Sequence, residues 1–84
     1  MGKVEILAVE HDVSDKFDTA TVAQELQADT DVYYSCTNDD YWQDEVLHDG
    51  SILIKLPYKR VKRMKKENVA KLMLQYARER LKVA

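Results

Sequence analysis

Apolar positions along the chain follow two periods, and the changes between them divide it into elements. Lys3 to Val9 (KVEILAV) is a short β-branched run whose mixed pattern predicts a central strand, and the polar stretch His11 to Asp18 ends it. Asp18 or Thr19 then caps a short helix ending near Ala28. Val22, Ala23 and Leu26 share one face of it, Gln24, Glu25 and Gln27 lie around the rest, and Thr21 and Gln24 have capping-box spacing. From Asp31 the pattern is that of a strand, Val32 to Cys36. Thr37 to Asp40 read as a turn, and Tyr41 to Leu47 as a second strand. Asp49-Gly50 then separates Val46-Leu47 from the alternating Ile52, Ile54, Leu56 and Tyr58. This predicts a hairpin with a type I′ turn, which needs positive φ at both central positions.

Beyond Pro57 the period lengthens. At about 100° per residue, Val69, Leu72, Met73, Tyr76, Ala77 and Leu81 fall on one arc opposite Lys71, Gln75, Arg78 and Lys82, so Glu67 to Val83 is an amphipathic helix. Val61 and Met64 are out of phase with that arc, and Lys59 to Lys66 therefore read as a strand extension or connector. The order β-α-β-β-β-α describes a single α+β domain over residues 1–84, with a mainly antiparallel sheet and its helices packed on one face. Two Gly and one Pro in 84 residues favour a folded chain over a low-complexity one.

Charge changes the picture more than composition does. Cut at Gly50, the first part carries thirteen acids against Lys3 and Lys16, a net of −11, and the second carries eleven cations against Glu67 and Glu79, a net of +9. Nine acids and no Lys or Arg lie between Lys16 and Lys55. Such asymmetry points to a charged partner, unless the halves neutralise each other across the fold.

Candidate chemistry is sparse. His11, His48 and Cys36 are a poor inventory for a metal site. Cys36 follows Val32-Tyr33-Tyr34 in a strand, where core packing is its ordinary role. No glycine-rich phosphate loop or catalytic motif occurs, so neither catalytic residues, metal nor cofactor is expected. No apolar run approaches the length needed to span a bilayer, and acids interrupt the first ten residues. A cytoplasmic protein without a membrane partner is the expectation, in the host cytoplasm if the source is viral.

Binding is better supported. The leading expectation is a non-enzymatic interaction protein. Its acidic surface, formed by Asp29, Asp31, Asp39, Asp40, Asp44, Glu45 and Asp49 with Tyr41 and Trp42 as anchors, mimics a phosphate backbone and occupies the nucleic-acid-binding face of a basic host protein. In composition and size the chain resembles small phage-encoded inhibitors that mimic DNA. The alternative is direct DNA or RNA binding through Lys59, Arg60, Lys62, Arg63, Lys65 and Lys66, six cations in eight residues. Helix, three strands and helix, with Met64-Lys65-Lys66-Glu67-Asn68-Val69-Ala70-Lys71 opening the last helix, is similar to the double-stranded-RNA-binding domain. The likeness covers residues 19–82 in order and Lys65, Lys66 and Ala70 in motif, and it implies that Lys65 and Lys66 face phosphates. A homodimer through complementary charged faces and a structural subunit of a larger assembly complete the readings.

Overall fold

Residues 2–6 and 19–81 are described by a computed structural model. They form β1 (Val4–Ile6), α1 (Thr19–Leu26), β2 (Val32–Thr37), β3 (Gln43–Val46), β4 (Ile52–Pro57), a single helical turn α2 (Tyr58–Val61) and α3 (Lys66–Leu81). The α+β class and the expected succession of strands and long helices are present. Residues 7–9 of the expected first strand, the cap at Asp18, and Lys82 and Val83 lie outside the described residues.

The four described strands form one sheet in the order β1-β2-β4-β3, and this is mixed rather than mainly antiparallel. β1 runs parallel to β2, β2 runs parallel to β4 from Val32↔Ile52 to Thr37↔Pro57, and of these pairs only β3 and β4 are antiparallel. Alternation along a strand decides which side chains face the core but not which strand lies alongside. β2 and β4 both carry apolar side chains at alternate positions, whereas β3 is Gln43-Asp44-Glu45-Val46. The two apolar strands take the centre and the polar one an edge, as a strand with one unpaired side should. β1, expected to be central, occupies the other end of the order. β2 and β3 are therefore not neighbours, and the likeness to the double-stranded-RNA-binding domain holds for element order and not for topology.

The sheet buries one face. Val32 and Tyr34 of β2 and Ile54 and Leu56 of β4 pack with Val22 and Leu26 of α1 and Val69, Met73 and Ala77 of α3. Both long helices lie on that face. Tyr34 is fully buried at its centre and donates its hydroxyl to the Met73 carbonyl at 3.3 Å. Leu72, at the end of the apolar arc of α3, remains 36% exposed. No helix among the described residues is long and apolar enough to cross a membrane.

Two of the described residues hold a left-handed backbone. The β3–β4 hairpin forms where expected, but its turn is not type I′: within it Gly50 alone has positive φ, at 87°. The Gly50 N–H donates to the Leu47 carbonyl at 3.0 Å and the Leu47 N–H to the Ser51 carbonyl at 2.8 Å, closing a three-residue loop with glycine at its left-handed position. Gln27 follows the last residue of α1 at φ 47°, a position glycine usually fills.

Gly50→Ala is expected to lower stability by about 1–2 kcal/mol through backbone strain alone, because open space surrounds the position. Gln27→Gly should raise it by about 0.5–1 kcal/mol. Urea midpoints at unchanged slope check both.

Burial pushes the Tyr34 hydroxyl far above its ordinary value. The unfolded tyrosine ionises near pH ~10 while the folded one stays protonated, so stability present below that pH is lost as pH rises. Tyr34→Phe should cost about 1 kcal/mol at neutral pH and flatten the decline between about pH 10 and 12, read from urea midpoints across that range.

Candidate functional site

The basic segment has a definite shape. Pro57 ends β4 with φ −71° and ψ 104°, and Tyr58 starts α2 at once, so Lys59 to Lys66 is a helical turn and a connector rather than an extension of the strand. Lys62 N–H donates to the Tyr58 carbonyl at 2.9 Å and Met64 N–H to the Val61 carbonyl at 3.0 Å. The Lys65 carbonyl accepts from Asn68 and Val69 at 3.0 and 3.1 Å, opening α3.

Inward side chains recur every third residue. Val61 is buried, and the half-buried Tyr58 and Met64 pack against the core. The places between and after these anchors hold cations in pairs: Lys59 and Arg60, Lys62 and Arg63, Lys65 and Lys66. Five of the six are exposed. Lys59, Arg60, Arg63, Lys65 and Lys66 take part in no ion pair among the described residues. Lys62 is half-buried and sets its ammonium 6.0 Å from the centroid of the Tyr58 ring. The basic run and the acidic half thus do not pair off through these five cations.

The acidic candidates are spread over two ends and two faces. Asp29, Asp31 and Asp49 lie at the end where β2 and β4 begin. There Asp31 accepts the Lys3 backbone N–H at 2.9 Å, and the Ser51 hydroxyl and N–H hold the Asp49 carboxyl below its usual range. Asp39 and Asp40 lie at the opposite end, in the β2–β3 connection. Gln43 donates to Asp39 at 2.6 Å across that loop, and Asp39 N–H donates to the Thr37 hydroxyl at 3.2 Å. Asp44 and Glu45 are adjacent on a strand and therefore face opposite ways. Glu45 lies on the open face 3.8 Å from Lys55, beside a hollow of about 860 Å³ that Glu5, Tyr33, His48 and Asp49 also line.

Asp44 and Trp42 are engaged within the fold. Tyr76 of α3 donates to Asp44 at 2.6 Å and stacks on Trp42 at 5.1 Å between centroids. Arg80, one turn further, lies 3.0 Å from the same carboxylate and over the Tyr76 ring. Four side chains thus clamp the polar edge strand to α3. The anchor role expected of Trp42 is spent inward, while Tyr41 beside it is 62% exposed. The chain pattern alone did not single out Tyr76 and Arg80 as partners. Their signal is i, i+4 spacing on the flank of α3.

Elsewhere chemistry is limited. Cys36 packs against the core, and burial pushes its thiol up, away from the reactive thiolate. His48 is exposed in the β3–β4 loop, and His11 lies outside the described residues. Among the described residues no three His, Cys, Asp or Glu side chains are grouped to hold a metal ion. Comparison with known protein families, with curated proteins and with solved structures gives no match.

Partial burial and the Asp44 acceptor push the Tyr76 hydroxyl up, because both favour its protonated form. Tyr76→Phe should cost about 1 kcal/mol, and Asp44→Asn should cost less in that background than alone. A double-mutant cycle in urea checks the coupling; additive losses would show that the clamp does not act as a unit.

Proposed function

We propose that the protein binds the phosphate backbone of nucleic acid through the connector, with Lys59, Arg60, Lys62, Arg63, Lys65 and Lys66 as the contacting cations. The observation that carries this reading is that five of these charges are exposed and outside any ion pair among the described residues, on a segment whose backbone is fixed by inward anchors. Cations held in place lose less freedom on contact than cations on a loose tail. Their attraction to phosphate rests on release of condensed counterions and does not need the whole chain, at net charge −2, to be basic.

The acidic surface is the weaker candidate. A carboxylate array imitating phosphates needs its charges on one continuous face, and here Asp29, Asp31 and Asp49 are a strand's length from Asp39 and Asp40, while Asp44 is shared by Tyr76 and Arg80.

A mobility-shift series over salt concentration tests the proposal. Affinity should fall linearly on a log–log plot, and Lys65→Ala with Lys66→Ala should weaken binding and reduce the slope by about 0.7 to 0.9 for each phosphate no longer neutralised. Absence of any shift at low salt overturns the proposal. The carboxylate reading would gain instead if a lysate pull-down recovered basic nucleic-acid-binding proteins that were released on changing Asp39, Asp40, Asp44 and Glu45 to Asn or Gln.

A further inference from the structure

Resting on the proposed contact with phosphates, we infer that the ligand is single-stranded nucleic acid and that Tyr41 is the side chain on which one of its bases stacks. The strand order brings these parts together. β2 ends at Thr37 beside Pro57 of β4, and β3 lies on the far side of β4. The connection 38–42 therefore has to cross the end of β4, where Pro57 passes into the basic connector. Tyr41 and the six cations leave the sheet at the same end.

Tyr41 is also the one described aromatic with no task inside the fold. Tyr34 is buried, Trp42 and Tyr76 stack on each other, Tyr33 lies under the Lys3 ammonium at 5.6 Å, and Tyr58 lies under that of Lys62. Tyr41 has no hydrogen bond or ring contact among the described residues and shows 62% of its surface. The Gln43 to Asp39 bond closes the loop around it, so the ring is presented on a braced support.

Charge assigns the two halves of a nucleotide to different places. Asp39 and Asp40 precede Tyr41 and repel phosphate from the loop, while the connector attracts it. A strand whose backbone follows the cations then meets Tyr41 with a base. A duplex keeps its bases stacked inside and offers none without extruding it, whereas a single strand offers every base with a π face.

Fluorescence anisotropy at one low salt concentration, with a labelled oligothymidylate of about twelve nucleotides and a hairpin duplex carrying a similar charge, tests this. The oligothymidylate should bind more tightly. Tyr41→Ala should weaken its binding by about 5- to 100-fold with an unchanged salt slope, Tyr41→Phe should keep the affinity, and duplex binding should move little. Because the ring is exposed, urea midpoints of these variants should match the unsubstituted protein. Unchanged oligothymidylate affinity in Tyr41→Ala, or an equal loss on duplex, overturns the stacking inference while leaving the phosphate contact standing. Binding of neither probe by the unsubstituted protein overturns both.

Discussion

Six consecutive residue pairs between β2 and β4, all parallel, decide where everything else can lie. Because the chain visits β3 before β4, the strand that fills the place beside β2 is the later one, and the intervening chain has to step over the end of a strand not yet formed in sequence. The hairpin supplies the reversal that makes this possible, and Gly50 supplies its geometry. The same pairing aligns Val32, Tyr34 and Cys36 with Ile52, Ile54 and Leu56, so one face becomes continuous enough to bury α1 and α3. In a chain of 84 residues such a core has little redundancy.

The edge strand β3 has too few apolar side chains to hold itself in place. Only Val46 of its four residues is apolar, and it is 70% exposed. Its attachment comes from the ladder with β4 and from Trp42, Asp44, Tyr76 and Arg80, where one carboxylate accepts from both a phenol and a guanidinium. That use of Asp44 removes a charge from the surface, and the use of Trp42 removes an anchor. Polar residues in a hairpin can thus serve the fold while looking, in sequence, like a recognition motif.

Much of the fold was readable from the chain. Val22 and Leu26 are at the inward positions of α1, and Val69, Met73 and Ala77 at those of α3, because the helical period records burial directly. The α+β class followed. Strand neighbours did not, since Val32-x-Tyr34-x-Cys36 states a face and says nothing of what lies alongside. The connector was visible as a density of charge, and the inward spacing of Tyr58, Val61 and Met64 was present in the sequence. It was hidden because the single turn α2 and the start of the long helix α3 meet there at different phases. Pairing of the acids was out of reach, for Asp44 and Asp40 look alike until Tyr76 and Arg80 are brought up against only one of them.

The three-residue rhythm of the connector has a consequence for how this surface can change over time. Its path is dictated by Tyr58, Val61 and Met64, so the five exposed side chains Lys59, Arg60, Arg63, Lys65 and Lys66 carry none of the packing that keeps the backbone there. Their chemistry is free to drift toward neutrality, opposite sign or new aromatics while the scaffold stays as it is, which makes the segment a replaceable cassette in which affinity for a ligand evolves separately from foldability.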